Sequence, residues 1–265
     1  MKLIEALPVN PQVAKYIDRY QYFELSEPAF LKTIPNGKFD CWTAIDGCFE
    51  IWDFKREKFV ETGDAGILPA TNRISLIQIV SHLTCLNIKL NLSVVGLGIM
   101  EYYAHHIAKQ NIASFLSKST QRKIVGKEFL HGDALEVSKL DELMSSYFTG
   151  QKESQEPYHL LTLLTSNTLV NVNDLANKMN MTAKSLERLT KKKLGLTPIE
   201  LFNIFRFEKT TAYLQKSETL RLIEALDFGY YDQSHFVKTC RKITGIPPRQ
   251  LLNKKKLPTN DMFVD

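Results

Sequence analysis

Cysteine is scarce in this chain of 265 residues, and its four copies, Cys41, Cys48, Cys85 and Cys240, include no C-x-x-C pair. That spacing excludes the common zinc and redox-dithiol patterns and implies free thiols in a reducing compartment. Histidine is scarce too, with six copies. Only His82 falls on a predicted strand. His105 and His106 are adjacent, so on a helix they point ~100° apart, and His131 and His159 are isolated. A metal-dependent oxidation site needs several His and carboxylate ligands converging from strands, and this set is too thin to supply one. Long apolar runs are also missing. Charges interrupt every apolar stretch of the N-terminal MKLIEALPVNPQVAKYIDRY, so it reads neither as a secretory signal nor as a membrane span. We therefore expect no metal, no cofactor, no catalytic residue and no membrane association, and a cytoplasmic location.

The chain has 44% hydrophobic residues, and its length suits one large or two ordinary domains, each able to build a core. Its charge is unevenly placed. Residues 151–256 hold 18 Lys or Arg against 10 Asp or Glu, while the remainder holds 16 against 19. A basic C-terminal half favours a polyanionic partner, because neutralising phosphates releases condensed counterions.

The first 95 residues or so read as β-rich. The runs FLKTI, DCWTAI, CFEIWDF, KFVET, ISLIQIV and LNIKLNL are divided by turn signals at Pro35-Asn36-Gly37, Asp46-Gly47, Gly63-Asp64 and Pro69, the spacing of a meander or small barrel. Helical patterns follow at 98–116 and 133–148. The second carries Leu135, Leu140, Leu143 and Met144 on what is either a dimer seam or an interior face. Residues 151–157 read as a linker, 158–256 as almost wholly helical, and 257–265 as a frayed tail.

A stretch of the helical region occurs twice. LERLTKKKLGLTPIEL from Leu186 and FVKTCRKITGIPPRQL from Phe236 align at a shift of 50 residues, with Gly195 on Gly245, Pro198 on Pro248 and Leu201 on Leu251. Two copies are too few for a solenoid. Upstream of each lie a small residue, a turn residue and a polar cap: Ala176, Asn180 and Thr182 in the first copy, Ala225, Gly229 and Asp232 in the second. Alanine lets helices approach closely, Asn and Gly tolerate a left-handed turn, and Thr and Asp accept hydrogen bonds from helix-start N–H groups. The layout is a helix-turn-helix, duplicated.

On the helix after Thr182, Leu186 and Leu189 face inward, while Lys184, Glu187, Arg188 and Lys191 fall on one polar stripe at i, i+3, i+4 and i+7. The second copy presents Gln233, Ser234, His235, Lys238 and Arg241 around inward-facing Phe236. Such side chains reach base edges and phosphates in a major groove. The helix from Pro198, about 18 residues long, spans ~27 Å, close to the ~34 Å of one DNA turn. Two successive grooves on one side of a duplex are therefore within reach.

The last hundred residues or so resemble the DNA-binding domain of the AraC/XylS family of bacterial transcription regulators. The resemblance is carried by Asp174-Leu175-Ala176, by Leu186 to Gly195 with Thr197-Pro198, and above all by GYYDQSHFVKTCRKITGIPP at 229–248. It implies DNA contacts by Lys184, Ser185, Glu187 and Arg188 from the first recognition helix and by Gln233, Ser234, His235 and Lys238 from the second. It further implies double-stranded promoter DNA as the partner, with RNA polymerase, a small-molecule effector and a second copy of the chain beside it. Activation is the family's commoner habit. Residues 1–150 resemble, less specifically, the cupin-like sensor or dimerisation domain that often precedes this module, with Trp42, Phe49, Trp52 and Phe54 as pocket candidates.

The expected architecture is thus α+β: a β-rich cupin-like barrel followed by helices, then an all-α tandem helix-turn-helix domain. Thr190 and Cys240 stand where the family has an aromatic, and Arg221 and Glu224 where it is commonly apolar, so we expect looser packing, above all in the second unit. A degenerate module acting as a protein adaptor is the alternative reading, with a cupin-type metalloenzyme behind it. A DNA-repair alkyl acceptor is disfavoured, because Asp40, Asp46 and Glu50 near Cys41 and Cys48 would raise rather than lower a thiol pKa.

Overall fold

Two strands are much longer than the turn signals suggest, and they organise the N-terminal half. The computed structural model describes residues 2–54, 56–63, 65–97, 129–151, 153–166, 171–216, 221–253 and 262–264. The runs DCWTAI and CFEIWDF fuse into β4 (Phe39–Asp53), and ISLIQIV and LNIKLNL into β7 (Ser75–Leu90). Asp46-Gly47 is not a hairpin turn. The pairing of β4 with β7 shifts register on either side of it, a bulge, and Gly47 has φ +76° with the His82 carbonyl so close that a Cβ would lie 2.2 Å from it.

The sheet is antiparallel and has eight strands. One edge of β7 is shared by β2 (Ile17–Leu25) and β3 (Ala29–Thr33), and the other edge pairs with β4. The far edge of β4 is shared by β5 (Lys58–Glu61) and β6 (Ala65–Leu68), and β1 (Lys2–Ala6) flanks β2. Among the described residues the sheet does not close into a full barrel, and with the helices that follow it gives the expected α+β architecture. A short helix, α1 (Pro11–Ala14), links β1 to β2, and a small hairpin, β8 (Leu130–His131) with β9 (Ala134–Leu135), precedes the helices. The tail, expected to fray, ends instead in β10 (Met262–Val264) paired with β3.

Alternation along the central strands gives the sheet two buried faces. Tyr20 and Tyr22 of β2, Phe39 and Cys41 of β4, and Leu86, Ile88 and Leu90 of β7 face the helices. Phe23, Leu25, Trp42, Phe49, Leu83 and Cys85 face the other way around a second core. Of the aromatic pocket candidates, Trp42 and Phe49 stack edge to face there at 4.4 Å. Trp52 packs instead on Phe59, and Phe54 is exposed beneath Arg73.

A 3₁₀ helix at Leu92–Leu97 is wholly buried between the sheet and α3 (Glu156–Thr165). The predicted helix at 98–116, with His105 and His106, lies outside the described residues. The second predicted helix is α2 (Val137–Phe148), whose Leu140 and Met144 are buried with Leu135 in the main core, so this face is interior. Asp141 beside them accepts from the amides of Val9 and Asn10 and from the Tyr20 hydroxyl.

The helices from α4 (Val172–Lys178) to α5 (Ala183–Leu194) extend this same core through Leu175, Leu186 and Leu194, which cluster with the sheet residues. α6 (Pro198–Lys216) gives Leu201, Ile204 and Phe205 to that core and Phe207 and Leu214 to another. This other core is built by α7 (Gln233–Thr244), α8 (Pro248–Asn253) and a 3₁₀ helix at Leu222–Phe228, and Ile34 from the loop after β3 joins it.

Burial pushes the thiols of Cys41 and Cys85 up to about 12 and that of Cys240 up to about 11, with the Asp40 charge adding to the first two. In the native protein at pH 8, a thiol reagent is accordingly expected to modify half-buried Cys48 alone. Rapid labelling of a second cysteine before unfolding would contradict this packing.

Candidate nucleic-acid interface

The 50-residue shift of the repeat reappears in the coordinates down to the helix caps. α5 and α7 are both 12 residues long. Each begins on an extended residue whose side chain accepts an amide three positions on: Thr182 from Ser185 at 3.1 Å, Asp232 from His235 at 2.6 Å. Each ends on a left-handed glycine, Gly195 at φ +71° and Gly245 at φ +75°, whose N–H returns to the carbonyl of Lys191 or Arg241. The turn residues behave as the sequence predicts, with Asn180 at φ +53° and Gly229 at φ +80°.

Burial also repeats. Leu186 and Phe236, Thr190 and Cys240, and Leu194 and Thr244 face inward at matching positions, and Ile243 is buried beside them in the second helix. Thr190 and Cys240 are fully buried, the Thr190 hydroxyl donates to the Glu187 carbonyl, and the Cys240 thiol donates to the Ile246 carbonyl. The second unit does differ at its entry, where the 3₁₀ helix at Leu222–Phe228 stands in place of a helix of the α4 type. Arg221 precedes it exposed, and Glu224 keeps one buried oxygen without a protein partner.

Opposite these cores lie the polar stripes. Lys184, Glu187, Arg188 and Lys191 are exposed on α5, as are Gln233, Ser234, Lys238 and Arg241 on α7. Basic side chains in the last turn of each helix also suit the negative end of its dipole. Lys191 carries an ion pair to Glu187 at 2.6 Å, which raises its pKa and holds the ammonium charged. Such an exposed pair is weak. Two of the predicted contacts are partly occupied inside the protein. The Ser185 hydroxyl bonds that of Thr182, and the His235 ring packs on Tyr230 while its Nδ1 accepts the Tyr231 amide.

The profile of a family described as a helix-turn-helix domain matches residues 175–254, the span that holds both units. This segment is a helix-turn-helix domain. Among solved structures the chain is similar to ToxT from Vibrio cholerae, at 11% identity over 88% of this chain and 97% of that one, with a TM-score of 0.49. It is also similar to the same protein with an unsaturated fatty acid bound, at 10% identity over 87% and 93% with a TM-score of 0.46. A third likeness is to the AraC-like transcriptional activator CuxR, at 11% identity over 80% and 86% with a TM-score of 0.27. No curated protein matches the sequence.

Several residues that shape this helix-turn-helix domain carry no local sequence signal. The Arg206 guanidinium lies over the Tyr230 ring at 4.4 Å and the Phe202 ring at 5.2 Å, and donates to the Gly229 carbonyl and to Asn203. It locks α6 to the turn ahead of α7. Glu200 accepts from the amide and hydroxyl of Thr197 at the start of α6 and from Asn72 of the sheet domain. Lys38, in the loop before β4, reaches Asp18 at 2.9 Å and Glu208 at 3.5 Å. Tyr231, 87% exposed, stands beside Gln233 at the head of α7. Among the described residues no group of three or more His, Cys, Asp and Glu could hold a metal ion, and no helix is long and apolar enough to cross a membrane.

Proposed function

We propose that this protein is a sequence-specific transcription regulator whose α5 and α7 enter successive major grooves of promoter DNA. The observation that carries the reading is the pair of identically capped 12-residue helices, each with a buried apolar side and an exposed basic one, joined through α6. At ~1.5 Å per residue, the 19 residues of α6 extend ~28 Å, within reach of one ~34 Å DNA turn.

In this reading Lys184, Ser185, Glu187 and Arg188 serve one half-site and Gln233, Ser234, His235 and Lys238 the other, while Lys191 and Arg241 hold phosphates. Residues 1–150 form the sensing or dimerising half, residues 158–256 the DNA-binding half, and the protein works in the cytoplasm where the chromosome lies. RNA polymerase and a second copy of the chain are the further partners. The adaptor alternative rested on Thr190, Cys240 and Glu224; Thr190 and Cys240 are buried with their polar hydrogens bonded to backbone carbonyls, while Glu224 keeps one buried oxygen unpartnered.

Selection of bound fragments from genomic DNA, followed by base-pair scanning, tests this. Arg188→Ala or Gln233→Ala is expected to relax base preference at one half-site by ~1–3 kcal/mol, and Lys191→Ala to weaken all sequences alike. Unchanged affinity and preference in all three variants would count against these faces.

A further inference from the structure

Strand β3 is short, and both of its edges are taken. β7 pairs along one, from Ala29 on Ile79 to Thr33 on Ser75, and β10 pairs along the other, with Met262 on Thr33, Phe263 on Lys32 and Val264 on Leu31. Without β10, β3 would be the outermost strand on this side of the sheet, and an outermost strand presents unpaired N–H and C=O groups. The strand that covers it comes from the other half of the molecule. Eight residues separate the end of α8 at Asn253 from Met262, so α8 and β10 stay within ~30 Å of each other.

The corner where Thr33 pairs with Ser75 is also where the second helix-turn-helix unit sits. Ile34, the residue after β3, is buried and clusters with Phe207, Phe236 and Leu251. Ile74, the residue before β7, lies against the C-cap of α7, where a Cβ on Gly245 would come to 3.7 Å from its Cδ1. The first unit is held differently, since Leu175, Leu186 and Leu194 belong to the main core. The end of the β3–β7 pair therefore carries the second unit, and β10 lies along the outer of these two strands with Met262 opposite Thr33 at that same end.

We propose that β10 is a strap that seats the second helix-turn-helix unit on the sheet. By pairing with Leu31, Lys32 and Thr33 it stiffens the β3–β7 corner, and the unit keeps its place on Ile34 and Ile74 while the strap is on. Three residues make a short ladder, and strand pairs this small are marginal in water and open well before the whole molecule does. The strap is thus a release point at which the second unit loosens while the first stays built into the main core. This seating exists without DNA. Its consequence for DNA rests on the reading of α7 as a DNA-entering helix: with the strap off, the half-site of α7 is held more weakly.

Hydrogen exchange of the full-length protein without DNA tests the strap, and footprinting tests its consequence. In Phe263→Pro/Val264→Pro one of the two prolines must delete a ladder N–H, because hydrogen-bonded and non-hydrogen-bonded pairs alternate along an antiparallel strand. Exchange is expected to quicken about tenfold, the effect of one or two lost hydrogen bonds, across residues 29–34 and 233–253, with 172–194 unchanged. Should that variant not fold, a chain ending at Asp261 removes β10 without inserting proline and is read by the same exchange. On a selected genomic site, the half-site that depends on Gln233 should be bound about tenfold more weakly and the other as before. Unchanged exchange at 29–34 would mean that β10 does not hold β3, and quickened exchange there with 233–253 unchanged would mean that the corner is not the seat. Either result overturns the proposal, as does tighter binding at the Gln233 half-site. Quickened exchange in both segments with neither half-site affected would uphold the strap and overturn the assignment of α7 to DNA.

Discussion

Truncating Phe236 to alanine is expected to unfold the second helix-turn-helix unit while the first stays folded. Phe236 is fully buried, with ring contacts to Phe207 and Tyr230, in a core that includes Ala225, Cys240, Ile243 and Leu251. Losing a buried phenyl costs ~3–5 kcal/mol, a large share of the ~5–15 kcal/mol that holds a whole domain together. The first unit does not draw on that core. Leu175, Leu186 and Leu194 cluster with the sheet and with α3 instead. Hydrogen exchange should therefore show lost protection across residues 233–253 with that of 172–194 kept, and DNA protection should vanish from one half-site. Equal loss of protection in both units would mean that the two cores are one.

The second large effect is expected at Asp141, which no motif marks. Its buried carboxylate takes three hydrogen bonds, from the Val9 amide at 2.8 Å, the Asn10 amide at 2.7 Å and the Tyr20 hydroxyl at 2.7 Å. It thereby ties α2 to the start of the chain. Burial and this carboxylate together also raise the Tyr20 pKa and keep the phenol neutral. Asp141→Ala strands the buried Tyr20 hydroxyl, removes the acceptor of two part-buried amides and leaves a cavity beside Leu140 and Met144, and an unpaired buried donor alone costs ~1–3 kcal/mol. Because such effects are not additive, a total of ~3–5 kcal/mol is expected, a fall in Tm of roughly 10 °C for a protein of this size. A fall below ~2 °C would show that water reaches these groups in the native state.

The helical half is legible in the sequence because its signals are local. Asn171, Thr182 and Asp232 cap the helices they precede, Asn180 and Gly229 take the left-handed turns, and the 50-residue register holds from cap to cap. The strand half is less legible for an equally physical reason. Asp46-Gly47 is a turn dipeptide in isolation, but long-range pairing with β7 converts it into a bulge inside one strand. Tertiary ties leave no periodic trace at all. Ile34, Arg206 and Asp141 each act on residues far away in the chain or in another element, and the pairing of β10 with β3 closes a loop longer than two hundred residues that no turn signal announces. Of the residues proposed to face DNA, the exposed stripes are evident from helical spacing. The internal bonds of Ser185 and His235 are not, since they depend on cap geometry and on where Tyr230 packs.

Hydroxyl-radical footprinting of the full-length protein on a selected genomic site tests the central claim most directly. Two protected patches on one side of the duplex, ~10–10.5 bp apart between centres, with one lost in Arg188→Ala and the other in Gln233→Ala, are the expected result. A single patch, or two patches on opposite sides of the helix, would contradict the account.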